Sequence, residues 1–398
     1  MARRTRTVAV AGIGQTEFAR ASPKTAWELA LEAVLAALAD AGIEPAEVDG
    51  MCRFAPPFET VSEPMLVRAL GVPELAFFAE APLGGEALGA VIAHAAMAIE
   101  TGQASVVVCY RALSQSRGGR FGRADRGPAS PAGAAGDIVV PEDDNRSFHW
   151  PYGLMSPGQL FALWATRYAA VHGLTDDDLT TALGTVAITQ RRYANGNPAA
   201  LMRDRPLDWD TYRAARVISS PLRLFDLCLE NDGACALVLT GAARAAGGPG
   251  GGPVYVLSAT QSLSPYREPM GIYTDDLIEL FPPAAADRLF RRAGVSRGDV
   301  SVAELYDATS FMTMKSLESY GFAADGKGWR YVIEQGTGPD SPLPVNTHGG
   351  HLSEGYLHGM NGLTEAVRQL RGTACNQVAR AEVALVGAPS GSAVILAR

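Results

Sequence analysis

One segment of this chain occurs twice. Ala41-Gly-Ile-Glu-Pro-Ala-Glu-Val-Asp49 returns as Ala293-Gly-Val-Ser-Arg-Gly-Asp-Val-Ser301. Each copy follows a helix-like stretch, Trp27 to Asp40 in one case and Ala284 to Arg292 in the other, and each leads into an apolar segment. A repeated helix–turn–strand unit implies a duplicated α/β architecture.

The rest of the chain fits alternating elements. Val8 to Ala11 and Ala104 to Cys109 read as buried strands, and Glu86 to Glu100 as a buried helix of small residues. Residues 111–148 read as a long irregular excursion. Helices follow from about Gln159 to Val171 and Asp176 to Asn195, then a core strand over Asn231 to Thr240. Gly247-Gly-Pro-Gly-Gly-Gly-Pro253 is a linker by composition. It divides an N-terminal half, residues 1–246 with an insertion at about 112–222, from a C-terminal half, 254–398. The second half has strands over Val254 to Leu257 and Val302 to Tyr306, a helix over Leu363 to Leu370, and final strands at 382–387 and 393–397. Helices covering sheets in two halves predict a layered α/β fold.

Composition narrows the function classes. The 398 residues are 47% hydrophobic and 19% charged, as in a soluble globular protein. A net charge of −8 argues against a nucleic-acid partner. No run reaches the ~20 apolar residues of a membrane span, and the basic start lacks the apolar core of a signal peptide. Cysteines at 52, 109, 228, 235 and 375 have no paired spacing, which points to reduced thiols in the cytoplasm.

The stretch from Asn346 to Gly362 carries glycines at 349, 350, 355, 359 and 362, with His348, His351, His358 and Tyr356 among them. Such glycines serve close backbone approach, not core packing, and imidazoles beside a phenol suggest an active-site loop. The histidine spacings of three and seven, with no cysteine or acidic cluster nearby, do not suit a metal site.

Asn346, Gly349, Gly350, Gly355, Gly359 and Gly362 fall on the C-terminal signature of the thiolase superfamily, Asn-x-x-Gly-Gly leading to Gly-His-Pro-x-Gly-x-x-Gly. Tyr356 replaces the signature's histidine and Leu357 its proline. Ser220-Pro-Leu-Arg-Leu-Phe-Asp226 and Asn231-Asp-Gly-Ala234 resemble the sterol-carrier thiolases. The family's Asn-Glu-Ala-Phe motif corresponds to Tyr306-Asp-Ala-Thr309. Its nucleophilic cysteine falls at or near Gly85, and its late Cys-x-Gly in Val386 to Gly391, where no cysteine occurs. Acyl transfer through a thiol is therefore not available.

With phenols at two reaction-centre positions, the chain resembles the thiolase-like lipid-transfer-protein aldolases of bacterial steroid side-chain degradation. The resemblance implies duplicated βαβαβαββ halves in α/β/α/β/α layers with an inserted loop domain. It implies retro-aldol cleavage of a β-hydroxyacyl-CoA, a 17-hydroxy steroid-20-carboxyl-CoA giving a 17-ketosteroid and propionyl-CoA. It implies a homodimer core joined by a small OB-fold, zinc-ribbon partner in a heterotetramer, with coenzyme A carried by the substrate and no cofactor or metal bound by the chain.

The expected catalytic residues are Tyr306, Tyr356, His348 and Asp307, the last tuning Tyr306 or capping a helix. Gly84, Gly85, Asn346 and Gly391 are expected around the substrate's oxyanion. Gly12-Ile-Gly14 hints at a dinucleotide loop but lacks the third glycine. Arg111, Arg117, Arg120, Arg123 and Arg126 form either a solvated loop or a contact for CoA phosphates or a partner. The other function class consistent with the residues is a non-catalytic thiolase-like carrier or scaffold.

Overall fold

The computed structural model describes residues 7–55, 61–81, 84–85, 88–117, 150–249, 251–262, 283–388 and 391–398. Its strands are β1 (Val8–Gln15), β2 (Gly50–Phe54), β3 (Phe77–Ala81), β4 (Val106–Ser114), β5 (Val217–Ser219), β6 (Leu222–Arg223), β7 (Asp232–Gly241), β8 (Val254–Thr260), β9 (Val302–Leu305), β10 (Val383–Gly387) and β11 (Ala393–Ala397). Its α-helices are α1 (Ala26–Ala41), α2 (Glu63–Leu70), α3 (Leu88–Glu100), α4 (Pro157–His172), α5 (Asp176–Asn195), α6 (Trp209–Ala214), α7 (Ala242–Ala245), α8 (Pro283–Ala293), α9 (Ser310–Ser319), α10 (Gly328–Glu334), α11 (Gly350–Ser353) and α12 (Met360–Arg371).

Among the described residues one sheet has nine strands, in the order β3-β2-β4-β7-β1-β8-β11-β10-β9. β2 runs parallel to β4, β4 antiparallel to β7, and β7 antiparallel to β1. β9 runs parallel to β10, β10 antiparallel to β11, and β11 antiparallel to β8. The two sets have the same order and sense and meet where β1 pairs antiparallel with β8. The sequence echo is thus structural: both copies form a short 3₁₀ turn, Pro45–Glu47 and Arg297–Asp299, ahead of β2 and β9. The halves differ at one connection. Residues 115–231, with α4, α5, α6, β5 and β6, separate β4 from β7, whereas residues 388–392 suffice between β10 and β11.

Helix α3 and helix α12 lie between the two halves, where Leu88, Val91, Leu363 and Val367 share a core with strands of both. Leu29, Ala33 and Val34 of α1 cover the outer face of the first half. Leu183, Leu289, Phe311 and Leu317 cover that of the second. Burying each large apolar side chain is worth about 1.5–3 kcal/mol, so these faces hold the layers together. Thr25 starts α1 through a capping box with Glu28.

One expectation needs correction. β4 continues past Cys109 to Ser114, so residues 111–114 are strand, and Arg111 is buried within it at 1% exposure instead of belonging to a solvated loop. Arg120, Arg123 and Arg126 lie outside the described residues. Gly12 and Gly14 lie inside β1, where a Cβ would meet the main-chain oxygens of Ala37 and Ala33 at 2.2 and 2.0 Å. They let α1 lie close on the sheet.

Candidate functional site

Tyr306 leaves the end of β9, and its backbone N–H donates to the Gly387 carbonyl at 2.8 Å. Tyr356 sits in the turn between α11 and α12. The carboxamide of Asn231, just before β7, accepts from its N–H at 2.6 Å. Three segments far apart in sequence thereby bring the two phenol oxygens to 2.8 Å from each other. Tyr306 and Tyr356 are buried, with 9% and 7% of their surface exposed.

The space above Gly85 belongs to Tyr306. A Cβ on Gly85 would lie 2.1 Å from Cε2 and 2.3 Å from Cζ of that ring. A side chain at position 85 would therefore collide with a phenol ring.

Burial pushes the pKa of Tyr306 well above the usual phenol value, and its contact with Tyr356 adds to the rise. Burial also raises Tyr356, with the nearby Cys228 second, while the bond to Tyr306 and the Arg111 charge pull the other way. Both phenols are therefore protonated near neutral pH. The Cys228 thiol is itself raised by burial and by Asp307.

His351 lies between the phenols, with ring centroids 4.9 Å from Tyr306 and 5.2 Å from Tyr356. Its Nε2 is 3.0 Å from the Gly359 N–H and 3.1 Å from Asn361 Oδ1. Asp307 caps the start of α11, accepting from the N–H groups of His351 and Leu352 at 2.9 and 3.2 Å.

His348 lies behind Tyr306, among acids. Its Nδ1 is 2.9 Å from Glu304 Oε2, an ion-pair contact without hydrogen-bond alignment, and its Nε2 is 3.7 Å from Glu354 Oε2. Burial alone would lower its pKa, but Glu354 and Glu304 overcome that and raise it to about 10. Burial raises Glu304 to about 7, against the pull of His348. The Thr347 hydroxyl faces Glu304 Oε1 at 2.8 Å and Glu365 Oε1 at 2.7 Å. A cavity of about 10 Å³, room for one water, is lined by Tyr306, Glu304, Asp307, Asn346, His348 and His351.

Asn346 adopts a positive φ of 55° and accepts from the Leu305 N–H at 2.6 Å, tying the glycine-rich loop to the end of β9. The Gly391 carbonyl accepts from Thr260, and next to it Ser392 Oγ accepts from Gly89 N–H at 2.9 Å, joining this turn to the start of α3. Among the described residues no three of His, Cys, Asp and Glu converge as a metal site requires, and no helix is long and apolar enough to cross a membrane.

Sequence reasoning missed several residues at this site. Of the three histidines in the glycine-rich stretch only His348 was singled out, not His351 or His358; Cys228 looked like one scattered thiol, and Arg111 like part of a loop. One signal could have found Arg111: it continues a valine-rich strand, where a cation needs a buried partner.

The thiolase C-terminal domain-like family matches residues 273–395. Over 385 residues, 96% of each chain, the protein is 40% identical to the 17-hydroxy-3-oxo-4-pregnene-20-carboxyl-CoA lyase of Mycobacterium tuberculosis. It is 38% identical to the steroid side-chain-cleaving aldolase of Thermomonospora curvata, over 96% of this chain and 95% of that one. The solved structure of an Ltp2-ChsH2(DUF35) aldolase superposes with a TM-score of 0.86 at 36% identity, covering 98% of this chain and 97% of that one. Human mitochondrial 3-ketoacyl-CoA thiolase superposes with a TM-score of 0.67 at 16% identity and shares the fold.

Proposed function

The chain belongs to the thiolase-fold steroid side-chain-cleaving aldolases, and from that premise we propose that it cleaves a 17-hydroxy steroid-20-carboxyl-CoA to a 17-ketosteroid and propionyl-CoA. It is a carbon–carbon lyase acting on an acyl-CoA thioester. The observation that carries the reading is the 2.8 Å contact between the Tyr306 and Tyr356 hydroxyls, with the Tyr306 ring packed over Gly85.

Two protonated phenols in contact can pass a proton without ever forming a free phenolate. The β-hydroxyl of the substrate gives its proton to one phenol oxygen as the carbon–carbon bond breaks. That phenol hands its own proton to the second, and the second protonates the enolate carbon. Each phenol gains one proton and loses one, so the pair ends unchanged. We assign Tyr356 to the β-hydroxyl and Tyr306 to the enolate. A relay between neutral groups suits a site where burial opposes charge.

Asp307 supports the pair by holding α11 and His351, and His348 by anchoring the glycine-rich loop between Glu304 and Glu354. Asn346 holds that loop to β9. Gly84 and Gly85 face the acyl group from the start of α3, and Gly391 borders the same helix end. The carrier reading gives no role to two phenols in hydrogen-bond contact.

The assembly we propose is a homodimer with a small OB-fold, zinc-ribbon protein bound to each subunit. One aldolase of this family was solved as an assembly with a DUF35 protein. Strand β3 supports the dimer, since it edges the sheet and leaves Phe78 63% exposed.

The test is incubation of the protein, alone and co-purified with a candidate partner, with the hydroxysteroid acyl-CoA. Ketosteroid and propionyl-CoA should appear in equal amounts. Absence of both products from both preparations would overturn the proposal.

A further inference from the structure

Arg111 and His358 form a buried unit outside the phenol pair. Arg111 projects from β4 with its side chain enclosed, and its Nε–H donates to His358 Nδ1 at 3.0 Å. A guanidinium in protein stays protonated and cannot accept. Nδ1 must therefore be the bare nitrogen of the ring, and the ring proton of a neutral His358 sits on Nε2.

The surroundings keep the ring in place and uncharged. It stacks on Phe54 at 6.2 Å and meets the Tyr356 ring edge-on at 5.0 Å. Among the described residues, Arg111 and His351 act on it electrostatically and Tyr356 is in ring contact. Burial, Arg111 and His351 all push its pKa well below the ordinary imidazole value. His358 also adopts φ 54°, an uncommon conformation for a residue with a side chain.

The Nε2 edge faces the turn ahead of α3. A Cβ on Gly84 would lie 3.0 Å from both Nε2 and Cδ2 of His358, and the neighbouring Gly85 is covered by Tyr306. An acyl oxygen lodged between this turn and the phenols would meet an imidazole N–H. Resting on the aldolase reading above, we propose that His358 donates its Nε2–H to the thioester oxygen of the acyl-CoA and that Arg111 is the positioning residue that fixes the required tautomer. A neutral N–H stabilises the enolate oxygen as charge builds on it, without surrendering its proton. Protonation is thereby left to the phenols at carbon.

Histidine-selective ring-nitrogen NMR tests the tautomer in the unmutated, assembled protein, which has six histidines. One ring should show a protonated Nε2 and a bare Nδ1, stay neutral between about pH 6 and about pH 8, and vanish in His358→Gln. A His358 ring that titrates normally, or that carries its proton on Nδ1, overturns the proposal. Turnover tests the donor. His358→Phe keeps the ring but should lower kcat by about 10²–10³, while His358→Gln, which retains an N–H, recovers part of it. Arg111→Met should lower kcat and free the tautomer, so that part of the His358 signal carries its proton on Nδ1. Wild-type kcat in a folded His358→Phe protein overturns the donor role. Should the wild type fail to cleave the substrate at all, the aldolase reading falls, while the NMR result still decides the Arg111–His358 pairing.

Discussion

Restoring a side chain at position 85 is the sharpest perturbation of the site. Gly85→Ala adds one methyl group, placed 2.1 Å from Tyr306 Cε2. Ordinary contact begins near 3.4 Å, so the ring must retreat by about 1.3 Å. It has little room, because its backbone is tied to Gly387 and its ring is flanked by His351. Overpacking of this kind costs about 1–3 kcal/mol of stability. The same movement breaks the 2.8 Å contact with Tyr356. Loss of one positioned proton carrier lowers the rate by about 10²–10⁴, or about 3–5 kcal/mol of barrier. Gly85→Cys should do the same and should not create thiolase activity. Thermal midpoint and ketosteroid release read the two effects separately. Exchanging Tyr306 for Asn in the Gly85→Ala background should recover stability but not turnover. A Gly85→Ala protein with unchanged midpoint and near-normal turnover would refute the placement of the Tyr306 ring.

Further outcomes concern groups around the phenols. His348 is raised from 6.5 to about 10 in the folded protein, so its contribution to stability is complete below pH 6.5 and is lost as pH climbs to about 10. The thermal midpoint should fall over that window, and His348→Gln should flatten the fall; parallel curves for the two proteins would contradict the ion-pair account. Cys228 is partly exposed and acts on both phenols. Its alkylation should block turnover by bulk, whereas Cys228→Ser should turn over nearly as well as wild type and resist the reagent. A large loss in Cys228→Ser would mean that the thiol takes part in the chemistry.

The order of elements was legible because it rests on local patterns. The helix expected over Asp176 to Asn195 occupies those residues, and the repeated turn at 41–49 and 293–301 marks equivalent places in the two halves. The end of β4 was not legible. A charged Arg111 interrupts the apolar run, and its Nε–H finds an acceptor in His358, 247 positions away. The phenols could be singled out because they replace motif residues, but no spacing in the chain reveals that their hydroxyls touch. That contact depends on β9, Asn231 and the turn before α12 converging. His358 was passed over because its role depends on two tertiary contacts, with Arg111 on one side and the Gly84 turn on the other.

The most direct test of the central claim is single-turnover cleavage by Tyr306→Phe and Tyr356→Phe, each compared with wild type in the same assembly. Phenylalanine keeps the ring over Gly85 and removes only a hydroxyl. Each variant should keep a thermal midpoint close to wild type and lose about 10²–10⁴ in rate. The double variant should be little worse than either single one, because removing one hydroxyl already cuts the relay. Near-normal cleavage by either folded variant would contradict a proton relay through the phenol pair.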